Sequence, residues 1–168
     1  MKASIEDAIR YDRRILVEKS IEDGREIEIS VLGNDAPIAS CPGEVISSNE
    51  FYDYDAKYVD GKSKTLVPAD LPKKTADKIK EIAITVFKAL DLCGMARVDF
   101  LVTKDEIFFN EANTIPGFTS ISMYPKLFEA SGISYSKLLD ALIKLALERH
   151  EEKSRLLTTY RPKEEWYK

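Results

Sequence analysis

The chain has 168 residues, of which 44% are hydrophobic and 32% charged, and its formal net charge at pH 7 is −4. This composition is typical of one globular domain that buries a substantial core, and the negative charge gives no reason to expect a nucleic acid or an anionic membrane as partner. No apolar run is long enough to span a bilayer and no signal peptide is recognisable, so we expect the two cysteines to be reduced thiols in the cytoplasm.

The N-terminal segment predicts a short helix followed by a β-hairpin. Ser4 is the candidate N-cap of the helix. Residues 14–19 are apolar and then polar, as in a buried strand that ends at the surface, and residues 25–32 alternate polar and apolar side chains as its antiparallel partner. Two shorter strands are predicted at 37–41 and 44–47.

An aromatic-rich segment follows at 49–63, with no single period and with turn residues at both ends. Ordering a loop with so many aromatic side chains costs entropy unless the loop packs on its scaffold or closes over a ligand. The segment is therefore predicted to be either a packed Ω-loop or a lid.

The clearest helix is predicted between residues 72 and 92. Pro72 lies in its first turn, and Gly94 follows as a stop signal. One apolar stripe predicts the face that packs on the core and consists of Ala76, Ile79, Ala83, Val86, Phe87 and Leu90. We therefore assign this helix to the scaffold and not to the chemistry.

The densest set of polar side chains lies on a predicted β-hairpin. Two alternating runs flank a short polar turn that can join antiparallel strands. The alternation puts Arg97 and Asp99 on one face of the first strand, and Glu111 and Asn113 on one face of the second. If the faces coincide, two carboxylates and an amide offer the oxygen ligands that Mg²⁺ prefers, beside an arginine that can neutralise phosphoryl charge. The alternative is a solvated sheet face with ordinary Arg–Asp pairing.

After the hairpin, a turn that contains glycine and proline leads into a helix beginning near Met123, and glycine there allows a backbone to approach closely. Ser134 is the candidate N-cap of the last helix, whose leucines form a broad apolar face. Residues 151–168 are strongly charged and lack a clear apolar period.

The residues Arg97-Val-Asp99, followed by the run Asn110-Glu-Ala-Asn-Thr-Ile-Pro-Gly-Phe-Thr-Ser120, resemble the C-terminal signature of the D-alanine–D-alanine ligases, which belong to the ATP-grasp superfamily. The resemblance implies an α+β fold, the ATP-grasp C-terminal domain, with a largely antiparallel sheet flanked by helices. It divides the chain into a ligase portion at 1–149, which contains an ω-loop lid at 46–63, and a charged tail at 150–168.

The resemblance also implies which residues contact the nucleotide and the metal. Glu18, Lys19 and Ile21 resemble the adenine-binding segment, Glu26 resembles the carboxylate that binds the ribose, and Lys57 in the lid would reach the terminal phosphate of ATP. Asp99, Glu111 and Asn113 would bind two Mg²⁺ ions, for which Mn²⁺ could substitute, and Glu111 would be the bridging ligand.

The substrate-side residues follow from the same resemblance. Arg97 and the backbone N–H of Gly117 would stabilise the oxyanion of the tetrahedral species. Tyr58 in the lid would face the substrate, and a tyrosine there resembles dipeptide-forming members rather than those that make an ester with D-lactate. Ser122 and the backbone of Met123 would bind the carboxylate of the second D-alanine.

The implied reaction joins two D-alanines to D-alanyl-D-alanine for peptidoglycan synthesis. The first carboxylate attacks the γ-phosphate of ATP, which gives an acyl phosphate and ADP, and the amine of the second D-alanine then displaces phosphate. Since a whole ligase is longer, we expect this chain to be its C-terminal portion, inactive alone, with an exposed apolar surface that favours a homodimer.

Two alternatives stay open. One is a module that binds Mg-nucleotide or a partner protein without turnover, and the other is a different ATP-grasp carboxylate–amine ligase.

Overall fold

The computed structural model describes residues 1–46, 64–119 and 121–159. Within these ranges the strands are β1 (Arg25–Gly33), β2 (Ile38–Ala39), β3 (Gly43–Ile46), β4 (Lys64–Leu66), β5 (Gly94–Val102) and β6 (Ile107–Asn113). The helices are α1 (Lys2–Ala8), α2 (Lys73–Ala89), α3 (Met123–Ala130) and α4 (Tyr135–Ser154). The strands pair antiparallel in the order β4-β3-β1-β5-β6, with β2 beside β1, which confirms the predicted antiparallel sheet flanked by helices. No helix in the described ranges is both long and apolar enough to cross a membrane.

One face of the sheet carries the main apolar core, beneath α2. Alternate side chains of β1 and β5 point to this face and are buried, among them Ile29 and Val98. They pack against the buried stripe of α2, which consists of Ile79, Ala83 and Phe87. The helical period of α2 and the alternation of the two strands thus direct their apolar side chains into one shared core, as the sequence predicts.

The opposite face of the sheet is covered in part by α3 and α4. Tyr124 of α3 and Leu138 of α4 pack against Leu32 of β1. α3 also comes very close to β3 at Gly43, where an added Cβ would lie 2.5 Å from a side-chain carbon of Leu127. A side chain at position 43 would therefore require the ends of the Leu127 and Met123 side chains to shift. The polar side chains of β1, β5 and β6 lie on this same face, beside the two helices.

The N-terminal segment differs from its prediction. α1 begins at Lys2 and has Met1 as its N-cap, so Ser4 lies inside the helix and is not the N-cap. Residues 14–21 form no strand, and Leu16 is exposed, so the predicted buried strand is wrong. The reason is that β1 already pairs with β5 along one edge and with β2 and β3 along the other, which leaves no edge for another partner.

The end of α2 also differs from its prediction. The helix stops at Ala89, and Asp91 adopts the left-handed backbone conformation that ends it, with φ of 52°. Gly94, the predicted stop, begins β5 instead. Leu90 lies beyond the last helical turn and is 52% exposed, so its assignment to the apolar stripe is wrong.

Candidate functional site

The polar side chains of the hairpin meet on one face of the sheet. Arg97 lies opposite Asn113, and Asp99 lies opposite Glu111. A β-bulge next to Asp99 adds Asn110 as an extra residue in β6. Because side chains alternate along a strand, this extra residue brings Glu111 and Asn113 to the face that carries Asp99 and Arg97. The predicted hairpin and the convergence of its four side chains are confirmed.

Hydrogen bonds join these four side chains into one network. The Arg97 guanidinium donates to both carboxylate oxygens of Asp99, from Nε to Oδ1 and from Nη2 to Oδ2, each at 2.8 Å. The Asn113 amide nitrogen donates to Asp99 Oδ2 at 2.9 Å and to Glu111 Oε1 at 3.2 Å. Asp99 is therefore the centre of the network, linked to an arginine on its own strand and to an amide on the next.

A further acid, which sequence reasoning missed, lies beneath this network. Glu28 on β1 is directly opposite Asp99 and is only 6% exposed. Its Oε2 lies 3.4 Å from Arg97 Nε. The signal was available in the sequence, because Glu26 and Glu28 alternate with apolar residues and must share a face of their strand.

The surroundings of Arg97 keep it charged. Burial alone would lower the pKa of this guanidinium, but the hydrogen bonds to Asp99 and the charges of Glu28, Asp99 and Glu111 outweigh that effect and raise the pKa above its ordinary value. An arginine held between three carboxylates differs from an exposed surface pair, which contributes little and is screened by solvent. This burial weighs against the alternative of a solvated sheet face.

Two adjoining cavities lie along the same face and share Glu26 in their walls. The smaller, of about 110 Å³, is lined by the carboxylates of Glu28, Asp99 and Glu111. The larger, of about 550 Å³, is lined on one side by residues of the 18–21 segment and on the other by hydrophobic side chains of the hairpin. The residues whose predicted role is nucleotide binding and that line this larger cavity are Glu18, Lys19, Ile21 and Glu26.

The donor set can accept a divalent cation after a local rearrangement. The described ranges contain no group of three or more acidic, histidine or cysteine side chains already arranged around one point. Asp99 and Glu111 nevertheless face each other across adjacent strands, and Asn113 contacts both. A cation between them would require Asp99 to release part of its contact with Arg97, and Asn113 to present its amide oxygen. The oxygen chemistry of the three side chains fits Mg²⁺.

The remaining substrate-side residues lie at the start of α3. The Thr119 backbone N–H donates to Ser122 Oγ at 2.9 Å, and a Cβ added at Gly117 would lie 2.9 Å from the same oxygen. Glycine at 117 therefore lets the turn close against Ser122. Met123 begins α3. The predicted residues Lys57 and Tyr58 lie outside the described residues, as do almost all of the predicted lid and the end of the charged tail.

Two hydrogen bonds fasten α3 to β1. The Tyr124 hydroxyl donates to the Val31 carbonyl at 3.0 Å, and the Ser30 hydroxyl donates to the Tyr124 carbonyl at 3.2 Å. All of these groups are buried. The position of the turn at Ser122 relative to the sheet thus depends on Tyr124, a residue that the sequence analysis did not single out.

Comparison with known proteins gives consistent matches over most of the chain. Residues 1–144 match the family model described as D-ala D-ala ligase C-terminus. The chain is 58% identical over 152 residues to the D-alanine–D-alanine ligase of Clostridium acetobutylicum, an alignment that covers 89% of this chain and 44% of that protein. Among solved structures, the D-alanine-D-alanine ligase from Coxiella burnetii matches with a TM-score of 0.80 and 46% identity. The alignment covers 92% of this chain and 40% of the Coxiella burnetii chain. The D-alanine–D-alanine ligase from Bacillus anthracis complexed with ATP has a TM-score of 0.74 and 32% identity, over 90% and 49% of the two chains. The chain spans less than half the length of each of these relatives.

Proposed function

Because the chain belongs to the D-alanine–D-alanine ligase family and corresponds to its C-terminal, ATP-grasp portion, we propose that it supplies the magnesium, phosphate and acceptor side of an ATP-dependent ligase. The reaction would join two D-alanines into D-alanyl-D-alanine for cytoplasmic peptidoglycan-precursor synthesis. One observation carries the proposal. Arg97, Asp99, Asn113 and Glu111 form a hydrogen-bonded network, partly buried at Arg97 and Asp99, beside a groove of two adjoining cavities of about 110 and 550 Å³.

The order of side chains along the groove supports the nucleotide as ligand. Glu18, Lys19 and Ile21 line its far end, where backbone groups of an unpaired segment can read the edge of a purine. Glu26 lies where the two cavities join, so its carboxylate can accept hydrogen bonds from a ribose. The phosphates would then extend toward Asp99.

The metal would sit at the phosphate end of the groove. Asp99, Glu111 and Asn113 would be its ligands, with Glu111 between two Mg²⁺ ions, and bound metal would neutralise charge on the phosphates. Arg97 stabilises the charge that develops on the transferring phosphoryl group and later on the tetrahedral carbon. The contribution of the protein is therefore mainly positioning and charge neutralisation.

The acceptor side is assigned to the turn before α3. The backbone N–H of Gly117 would donate to the oxyanion, and Ser122 with the backbone N–H of Met123 would bind the carboxylate of the second D-alanine. The support is the tight turn that brings Ser122 against Gly117 and the anchoring of α3 to the central strand. Lys57 is proposed to contact the terminal phosphate, and Tyr58 to cover the substrate.

A second candidate function follows from the share of the relatives that the chain covers. The alignment covers only 44% of the Clostridium acetobutylicum ligase. The second candidate is therefore that the 168 residues bind Mg-nucleotide without turnover. We expect this behaviour from the chain alone, because part of the site would have to come from elsewhere. A ligase with a different acceptor remains the third alternative.

The test measures nucleotide binding and turnover separately. Isothermal titration of the chain with ADP is compared with and without Mg²⁺, for the wild type, for Glu111→Ala, and for Glu81→Ala as a control on the exposed face of α2. We expect binding that requires Mg²⁺, that is lost in Glu111→Ala, and that is unchanged in Glu81→Ala. Absence of Mg-ADP binding at millimolar concentrations would refute the proposal.

ADP release from ATP in the presence of D-alanine then distinguishes the two functions. Release that depends on D-alanine and disappears in Glu111→Ala would mean that the chain completes an active site, for example in a homodimer. Release no higher than that of Glu111→Ala, together with Mg-ADP binding, would establish a binding module.

A further inference from the structure

Arg97 is shared between two carboxylates that differ in their position in the sheet. Asp99, on the same strand, receives two hydrogen bonds of 2.8 Å from the guanidinium. Glu28, on the central strand β1, lies 3.4 Å from Nε of the same guanidinium and is more deeply buried than Asp99. The two acids are directly opposite each other in the register of β1 and β5.

If Asp99 binds a metal, the two carboxylates cannot both serve as counter-ions of Arg97. A Mg²⁺ ion at Asp99 repels the guanidinium and competes for the oxygens to which it is bonded. An arginine buried in the sheet and deprived of its counter-ion is costly, because its charge is no longer compensated in a low-dielectric surrounding. A second acid within reach of Nε removes that cost.

We propose that Glu28 is a positioning residue that retains the Arg97 guanidinium in the site when Asp99 turns to the metal. Resting on the proposed function, this inference takes Asp99 as a metal ligand and Arg97 as the group that contacts the phosphate. Glu28 lies on the adjacent central strand, 3.4 Å from Nε. When Nε leaves Asp99 Oδ1, the guanidinium can therefore keep Glu28 as its counter-ion while Nη1 and Nη2 become available to an anionic oxygen. Glu28 would then act through Arg97 and not as a ligand of the metal.

The burial of Glu28 explains why this acid suits the role. A group that is 6% exposed has little freedom to move, and β1 is held between β3 and β5 on its two sides. Glu28 therefore gives Arg97 a fixed reference. It lines the smaller cavity together with Asp99 and Glu111, but it is buried, whereas Asp99 is half-buried and Glu111 is exposed. Without Glu28, Arg97 would keep Asp99 as its counter-ion and compete with Mg²⁺ for it.

The test is a double-mutant cycle on metal affinity. The Mg²⁺ dependence of ADP binding is measured for the wild type, Glu28→Gln, Arg97→Met and the double variant. We expect Glu28→Gln to lower Mg²⁺ affinity by about tenfold when Arg97 is present and by less than about twofold when position 97 is methionine. Glu28→Asp, which keeps the charge, should recover part of the loss.

A matched control separates this effect from loss of a buried acid in general. Glu44 forms a bidentate pair with Arg25, at 2.7 Å for each bond, on the opposite face of the same sheet. Glu44→Gln should change Mg²⁺ affinity by less than about twofold, although it also breaks a partly buried arginine–carboxylate pair. An equal loss of affinity in Glu44→Gln would overturn the inference, because the effect would then be structural.

Two further results would also overturn the inference. One is an unchanged Mg²⁺ affinity in Glu28→Gln, and the other is the same loss with arginine and with methionine at position 97, since a Glu28 charge acting directly on the metal would need no arginine.

If the wild type binds no Mg-ADP, the proposed function fails, and the metal-dependent role of Glu28 fails with it. The folding constants of the same four proteins then measure the contact between Glu28 and Arg97 alone. Coupling of about tenfold would show that Glu28 holds Arg97 in the free protein, and additive effects would show that it does not.

Discussion

The buried hydroxyl of Tyr124 should determine both the anchoring of α3 and the alkaline limit of stability. Tyr124 is fully buried, its ring packs against Phe118 and Phe128, and its hydroxyl donates to the Val31 carbonyl at 3.0 Å. The substitution Tyr124→Phe keeps the ring contacts and removes only the hydrogen bond. A buried carbonyl that loses its partner costs about 1–2 kcal/mol of the free energy of unfolding at neutral pH. For a domain of this size, that loss lowers the melting temperature by about 2–8 °C.

At high pH a second effect acts in the opposite direction, because it lowers the stability of the wild type relative to that of Tyr124→Phe. Burial raises the pKa of Tyr124 well above its ordinary value of 10. Above pH 10 the unfolded chain therefore loses this proton while the folded chain retains it, so the stability contributed by Tyr124 is fully present below pH 10 and declines as the pH rises. The decline is about 1.4 kcal/mol by pH 11 for one such group. Tyr124→Phe has no proton to lose and should not show this part of the decline.

Urea denaturation at pH 8, 10 and 11 tests both effects together. The variant should be less stable than the wild type at pH 8, and the two free energies of unfolding should converge by pH 11. Tyr135→Phe is the control, since Tyr135 also contacts the Phe118 ring but is 44% exposed. Parallel curves for Tyr124→Phe and the wild type between pH 8 and pH 11 would show that the buried hydroxyl is not the linked group.

Three further substitutions have expected outcomes. Gly117→Ala should displace the Ser122 hydroxyl, because the new Cβ would lie 2.9 Å from it, and amide chemical shifts at Thr119 and Ser122 should change; unchanged shifts would contradict the close contact. Phe87→Ala should cost about 3–5 kcal/mol in urea denaturation, since the ring is fully buried under the sheet; a cost below about 1 kcal/mol would argue against this packing. Asn113→Ala should weaken Mg-ADP binding by about tenfold, because it removes one of the three proposed oxygen ligands; titration that shows equal affinity would exclude Asn113 as a ligand.

Local patterns in the sequence were sufficient for the elements whose partners are close in the chain. The hairpin is encoded by two alternating runs around a four-residue turn, in which the Thr103 N–H donates to the Glu106 carbonyl at 2.9 Å. The stripe Ile79, Ala83 and Phe87 is encoded by a helical period and is buried as predicted. In each case the side chains that must meet are a few residues apart, so their spacing alone places them on one face.

The strand predicted at 14–19 shows where local patterns fail. Its composition suits a strand, but a strand needs an edge to pair with, and both edges of β1 are occupied. No property of residues 14–19 themselves contains that information. The same holds for Gly94, which is a good helix stop by its residue type but lies too far past the last turn of α2 to act as one.

The chain by itself determined the hairpin, the apolar stripe of α2 and the linear motif by which the family is recognised, because these depend on neighbours in sequence. Only the tertiary structure decided that Glu111 lies opposite Asp99, since this requires the bulge at Asn110. It also decided that Glu28 lies close to Arg97, since this requires the register between β1 and β5. The physical reason is that side-chain alternation assigns each residue only to one face of its own strand. The bulge and the pairing of distant strands decide which residues of neighbouring strands lie side by side on the same face of the sheet.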